Sequence, residues 1–91
     1  MRQLNIDKQA VQFTITLQPK QFKQIHKAIL ELLDNPRPND SKQLIGYENI
    51  FRKDVGEYRI VYRFNEQIVF IMLIDKRNDS KVYKAMKRLY D

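Results

Sequence analysis

The chain has 91 residues, 43% of them hydrophobic, and a formal net charge of +6. This length suits one domain and is too short for two, so we expect a single domain over residues 1–91. Cysteine is absent, which excludes disulfides and thiolate metal sites and favours the cytoplasm for so small a domain. The longest apolar run, Ile68–Ile74, is far shorter than the ~20 residues that span a bilayer, so we expect no membrane partner.

The first part of the chain predicts a strand, a helix and a loop. Apolar residues alternate with polar ones over Val11–Leu17, which indicates a half-buried strand. A helix is predicted next, with Pro19 near its start and Pro36 just beyond its end. The loop NPRPNDSKQ follows, since prolines with Asn, Asp and Ser do not continue a helix. The apolar stripe of the helix comprises Phe22, Ile25, Ile29, Leu32 and Leu33.

The second part predicts three strands joined by tight turns. A short strand is expected around Asn49–Lys53, then a DVGE turn in which Gly56 can take a positive φ. Glu57–Phe64 is the next strand. Ile68–Ile74 is apolar on both faces, so it belongs in the middle of a sheet.

A last helix completes the predicted fold. Asp79 or Ser80 can cap it, and Val82, Met86 and Leu89 share one of its faces. The element order is therefore β-α-β-β-β-α. We expect an α+β domain with a mostly antiparallel, twisted sheet and a helix packed on one face.

The usual signatures of metal-dependent and nucleotide-dependent enzymes are missing. Gly46 and Gly56 are the only glycines, so there is no glycine-rich phosphate loop. A single histidine without cysteine excludes the common zinc sites, and no acidic cluster resembles a two-metal nuclease site. We expect no metal and no cofactor, and any phosphate chemistry would use arginine and lysine to meet the developing charge.

Positive charge is concentrated in two parts of the chain, and this is the main pointer to a partner. Such an excess suits a polyanion, either nucleic acid or an acidic protein, and it also suits a merely solvated surface. The first group is Arg52, Lys53, Arg59 and Arg63, and the second is Lys76, Arg77, Lys81, Lys84, Lys87 and Arg88.

The segment GEYRIVYRF places two arginines on one face of a strand. Alternation puts Arg59 and Arg63 opposite the apolar face. The predicted strands Glu57–Phe64 and Ile68–Ile74 are antiparallel neighbours, so the end of the second brings Arg77 near Arg59. Tyr83 follows closely on the last helix. Two guanidinium groups and a phenol suit a phosphate flanked by a base.

A structural interpretation of the same residues is also open. Arg59 can pair with Glu57 or Asp75, and Tyr83 can fill the core beside Val82. In that case the residues have no role in chemistry.

Three segments resemble the RelE branch of the RelE/ParE superfamily of bacterial toxin–antitoxin toxins: NPRPNDSKQLIG, FRKDVGEYRIVYRF and IDKRNDSKVYKAMKRL. The resemblance runs from about Phe13 to Leu89 and implies a small α+β domain. It implies a ribosome-dependent, metal-independent mRNA endoribonuclease that cuts in the A site by 2′-hydroxyl attack on the adjacent phosphate. The implied partners are the ribosome, mRNA and an acidic antitoxin, which would cover the basic sheet or displace the last helix.

The resemblance assigns roles to individual residues. Arg59 matches an arginine that braces the scissile phosphate, and Arg77 one that offsets charge on the phosphate or the leaving oxygen. Tyr83 matches a tyrosine that orients the nucleotide. Two strand lysines of the family are missing here, which leaves Lys53 or Lys76 as the base, or weaker catalysis. The side chains expected to contact RNA are Arg52, Arg63, Lys76, Lys81 and Lys84.

Two other functions compete with this one. A ParE-like member of the superfamily would poison DNA gyrase without cutting RNA, although ParE-type chains generally lack the arginine–tyrosine set. A basic protein without enzymatic activity would bind only its antitoxin, and the missing lysines favour that alternative.

Overall fold

The computed structural model describes residues 1–90, which form one five-stranded sheet and three helices. Strand order is β1-β5-β4-β3-β2, with β1 parallel to β5 and every other pair antiparallel. The predicted α+β class and mostly antiparallel sheet are therefore confirmed. The elements are β1 (Gln3–Ile6), α1 (Lys8–Ile15), α2 (Pro19–Asp34), β2 (Lys42–Gln43), β3 (Phe51–Val55), β4 (Tyr58–Phe64), β5 (Ile68–Lys76) and α3 (Asp79–Tyr90).

The predicted strand Val11–Leu17 is wrong, because most of this segment is helix α1. Of its alternating apolar side chains, Val11 is 40% exposed and Ile15 is 71% exposed, so the alternation does not define a buried face. The buried side chains of α1 are instead Ala10 and Thr14, four residues apart as on one side of a helix. Asp7 starts the helix by accepting a hydrogen bond from the Gln9 N–H at 3.1 Å.

The first strand lies earlier in the chain than predicted. Gln3–Ile6 forms β1, which pairs in parallel with the first half of β5. Leu4 and Ile6 pack on the core between α1, α2 and the sheet. The element order is therefore β-α-α-β-β-β-β-α, with the N-terminal strand at one edge of the sheet.

The remaining elements lie close to their predicted positions, except that Lys42–Gln43, at the end of the predicted loop, forms the short strand β2. Helix α2 begins at Pro19 and ends at Asp34, two residues before Pro36. Gly56 has φ +58° in the turn between β3 and β4, as predicted. β5 lies between β1 and β4, which explains its apolar residues on both faces.

Two apolar cores lie on opposite faces of the sheet. One joins α1 and α2 to Ile60, Tyr62 and Ile74, and the other joins α3 to Val61 and Leu73. Helices thus cover both faces, whereas the sequence predicted a helix on one. Arg59 shares the face of Val61, and the α3 side of the sheet therefore holds the candidate site.

A β-bulge in β5 adjusts which residues reach the α3 core. Val61 is opposite Leu73, but the next residue of β4, Tyr62, is opposite Ile71, which leaves Met72 as an extra residue. Both Met72 and Leu73 consequently belong to the α3 core, while Ile71 belongs to the other. The bulge supplies two adjacent apolar residues beneath α3.

The Asp7 cap stabilises the start of helix α1, and its loss is measurable. We expect Asp7→Ala to lower the free energy of unfolding by about 1 kcal/mol, because helix α1 loses the side-chain acceptor at its N-cap. Asp7→Asn keeps a capping oxygen without the charge and should remain close to the parent chain. Urea unfolding of the three chains tests this, and equal losses in both variants would show that the charge matters rather than the cap.

Candidate functional site

The site is built around Arg59, a buried arginine on β4. Its side chain is only 7% exposed. Asp54 lies directly opposite in the β3–β4 register and accepts hydrogen bonds from Nε at 2.8 Å and from Nη2 at 3.5 Å. The hydrogen bond that Arg59 donates to Asp54 is the main cause that raises the pKa of the guanidinium, so this group is firmly cationic.

The first residue of α3 supplies a second carboxylate to the same guanidinium. Asp79 accepts a hydrogen bond from Arg59 Nη1, and its own side chain is 77% exposed. This hydrogen bond holds the pKa of the Asp79 carboxyl below its ordinary value of 3.8. The N-terminus of α3 is thereby joined to the middle of the sheet.

Two more arginines approach the carboxylate of Asp54. Arg52 Nη1 lies 3.7 Å from Asp54 Oδ2, and Arg77 Nε lies 4.0 Å from the same oxygen. The Arg77 side chain is 53% exposed, and its Nη1 donates to the Gly56 carbonyl at 3.5 Å. We refer to Arg52, Arg59 and Arg77 around Asp54 as the arginine cluster.

The structure places Arg59 and Arg77 on the same carboxylate, as the antiparallel pairing of β4 and β5 predicted. The carboxylates that pair with Arg59 differ from the two that the sequence suggested, which were Glu57 and Asp75. Those predicted partners are wrong, because Arg59 pairs with Asp54 and Asp79.

Tyr83 lies one helical turn beyond Asp79 on α3, on the same side of that helix. Its hydroxyl accepts a hydrogen bond from the Ile45 N–H at 2.8 Å, and its ring stacks on Tyr47 at 6.3 Å between centroids. As an acceptor in this bond, the phenol still carries a proton that it can donate. The side chain is half-buried and packs against the α3 core, so it has a structural role as well.

Lys53 is not brought to the arginine cluster. It pairs with Ile60 in the β3–β4 register and therefore points to the face that carries α1 and α2. Its ammonium group is bound there by Asp40. Arg52, its neighbour in sequence, takes the position on the α3 face.

The other basic residues predicted to contact RNA are spread over the surface. Arg63 is four residues from Arg59 along β4, about 13 Å away, and covers the Phe70 ring at 5.0 Å. Lys76 is exposed at the end of β5, and Lys81 lies 3.6 Å from Asp75. Lys84 is exposed on α3, in a basic strip of that helix with Lys81, Lys87 and Arg88.

Asp54, the carboxylate that organises the site, is not among the site residues predicted from the sequence. The available signal was the turn between β3 and β4. A hairpin closed by Gly56 places Asp54 directly across from Arg59, and opposite charges at such positions form a cross-strand pair. Asp79 was considered only as a helix cap, but Asn78 fills that role, because its Oδ1 accepts from the Lys81 N–H at 3.1 Å.

The arrangement can bind an anion, since three guanidinium groups face two carboxylates. Within residues 1–90, no group of three or more His, Cys, Asp or Glu side chains is placed to hold a metal ion. None of the helices in that range is long and apolar enough to cross a membrane.

Comparisons with known proteins agree with this architecture. Residues 5–80 match the family described as ParE toxin of type II toxin–antitoxin system, parDE. Among curated proteins, none matches this sequence significantly.

Several solved structures share the fold over most of their length. A double mutant of the E. coli toxin RelE in the free state is 27% identical, with a TM-score of 0.77 and 97% of each chain covered. The toxin in the intact E. coli RelBE toxin–antitoxin complex is 26% identical, with a TM-score of 0.73, covering 86% of this chain and 99% of that one. The archaeal RelE–RelB complex of Pyrococcus horikoshii OT3, at 23% identity and a TM-score of 0.74, covers 85% of this chain and 96% of that chain and shares the fold.

The ion pair between Arg59 and Asp79 makes stability depend on pH in acid. Because the folded state lowers the pKa of Asp79 below 3.8, the pair stabilises the fold above that pH. The stabilisation is lost as the pH falls through the folded-state pKa. We expect the parent chain to have a larger free energy of unfolding than Asp79→Asn at neutral pH, and the difference to disappear as the carboxyl becomes protonated below pH 3.8. Urea unfolding across this range tests it, and a pH-independent difference would contradict it.

Proposed function

This chain belongs to the family of ParE toxins of type II toxin–antitoxin systems, within the RelE/ParE superfamily, and we propose that it cuts mRNA on the ribosome. In this proposal the toxin acts in the cytoplasm, cleaves in the ribosomal A site and stops translation. An acidic antitoxin neutralises it.

One observation carries the proposal: Arg59 and Arg77 approach the same anionic group. The Nε atoms of the two side chains lie 2.8 and 4.0 Å from the carboxylate oxygens of Asp54. Guanidinium groups that converge on a carboxylate have the geometry needed to converge on a phosphate, because both anions accept paired hydrogen bonds. Overall likeness to the E. coli RelE toxins supports the same function.

The proposed reaction uses the RNA as its own nucleophile. The 2′-hydroxyl oxygen attacks the adjacent phosphorus, the 5′ oxygen of the next nucleotide leaves, and a cyclic phosphate remains. Negative charge grows on the phosphate oxygens during this step, so nearby guanidinium groups lower its barrier. Arg77, half-exposed, meets that charge, Arg59 braces the phosphate, and Tyr83 orients the nucleotide or donates its phenolic proton.

The proposal gives Lys53 no part in proton transfer, because its ammonium group is bound to Asp40 on the other face. Lys76 likewise pairs with Tyr58 and points away from the α3 face. Arg52 takes the nearest strand position, and a guanidinium is a poor base since it stays protonated. In this proposal the ribosome and the RNA itself align the 2′-hydroxyl with the leaving oxygen and accept its proton.

A ParE-like action on DNA gyrase is the second candidate. The family match to ParE toxins favours it, and so does the saturation of Arg59 by two carboxylates. In that case the arginine cluster stabilises the fold and the basic strip of α3 contacts a protein.

The partner in either case is proposed to be an antitoxin with acidic character. The structural relatives from E. coli and Pyrococcus horikoshii are toxins in complex with RelB-type antitoxins. Exposed Lys81, Lys84, Lys87 and Arg88 on α3 give such a partner a complementary surface.

A purified translation system distinguishes the two candidates. We expect addition of the chain to stop protein synthesis and to leave mRNA cut within the codon in the A site, mapped by primer extension. The same reaction without ribosomes is the control. Intact mRNA together with trapped gyrase–DNA complexes in a supercoiling assay would instead favour the ParE-like action.

Arg77→Ala tests the cluster directly. We expect the rate of ribosome-dependent cleavage to fall by about 10²–10³-fold, because a charge-stabilising donor is lost at the phosphate. Arg77 is half-exposed, so the variant should remain folded. Lys23→Ala removes the same charge from the exposed surface of α2, on the other face of the sheet, and serves as the control. Equal cleavage rates in both variants would remove Arg77 from the site.

A further inference from the structure

The two carboxylates that hold Arg59 differ in how easily solvent reaches them. Asp54 is 35% exposed and takes the Nε and Nη2 donors. Asp79 is 77% exposed and takes only Nη1. The guanidinium therefore has one side fixed to the sheet and another covered by a carboxylate at the surface.

Asp54 is fixed by more than its pairing with Arg59. Its position in β3 is set by the sheet register, and Arg52 and Arg77 lie 3.7 and 4.0 Å from its Oδ2. Removing this carboxylate would leave a buried guanidinium without its main partner, which is costly. Asp54 is thus the positioning residue of the arginine cluster.

Asp79 is not needed to cap α3. Asn78 caps the helix, with its Oδ1 bound to the Lys81 N–H at 3.1 Å and its carbonyl to the Val82 N–H at 2.9 Å. The Asp79 side chain can turn away from Arg59 without loss of these bonds. It is the exchangeable anion of the pair.

We propose that Asp79 occupies the phosphate position of the site, so that an RNA phosphodiester must displace it from Arg59 Nη1 to bind. This inference rests on the proposed function for the identity of the ligand. The exchange replaces one anion by another on the same donor, so the buried guanidinium stays paired throughout. Asp54 keeps Nε and Nη2 and holds the side chain in place.

The competition makes Asp79 a specificity-determining residue. An isolated phosphate gains little by exchanging with a carboxylate that is tethered beside Arg59. A ligand that also contacts exposed Arg77 and the basic strip of α3 gains additional interactions, which offset the cost of displacing Asp79. The site therefore selects extended polyanions over small ones.

Neutralising Asp79 tests the competition. We expect full-length Asp79→Asn to bind a short single-stranded RNA oligonucleotide about two- to fivefold more tightly than Glu66→Gln, by fluorescence anisotropy at fixed salt. Glu66 is exposed in the turn between β4 and β5, so its variant has the same change in net charge away from the cluster. Equal affinity in the two variants, or weaker binding by Asp79→Asn, overturns the proposal.

A measurement on the parent chain avoids dependence on the variant's folding. Carboxyl carbon NMR should show the Asp79 signal moving toward that of an unpaired aspartate as the same RNA is added, with the Asp54 signal changing less. An Asp79 signal that does not move overturns the proposal. Failure of the proposed function can be told apart from failure of this inference. If these binding results hold but no ribosome-dependent cleavage occurs, only the nuclease activity is rejected.

Discussion

A buried guanidinium that needs anions around it shapes the α3 side of this protein. Arg59 lies almost wholly inside, between the sheet and the first turn of α3, where an unpaired charge would be strongly unfavourable. Asp54 meets it from the neighbouring strand and Asp79 from the helix. The pairing joins the hairpin to α3. The stability of this region therefore depends on the same few side chains that we propose to bind phosphate.

Elements with strong local signals could be predicted from the sequence. Proline marks both limits of α2, Gly56 closes the hairpin, and the apolar run of β5 identifies an inner strand. Apolar Val11, Phe13 and Ile15 alternate with polar residues as in a strand, yet Val11 and Ile15 are exposed and the segment is helix α1. So short an amphipathic segment does not distinguish the two-residue period of a strand from the period of about 3.6 residues of a helix. The capping residue Asp7 is the better signal.

For the candidate site, the sequence predicts that Arg59 and Arg77 come together but not how they are paired. The convergence of Arg59 and Arg77 follows from antiparallel strands joined by a tight turn. The choice between Arg52 and Lys53 depends on the phase of pleating in β3, and alternation alone does not give that phase. The placement of Asp79 on Arg59 depends on how α3 docks on the sheet, which is a tertiary fact with no local pattern.

The extra residue in β5 also sets limits on how this strand can vary in length. On either side of Met72 the alternation of faces is regular, and at Met72 it shifts by one. An insertion or deletion elsewhere in β5 would send a whole row of apolar side chains to the opposite core. At the bulge, the loss of one residue costs the contacts of Met72 with the α3 core but leaves every other side chain on its own face, so a missing residue inside β5 is best tolerated at this point.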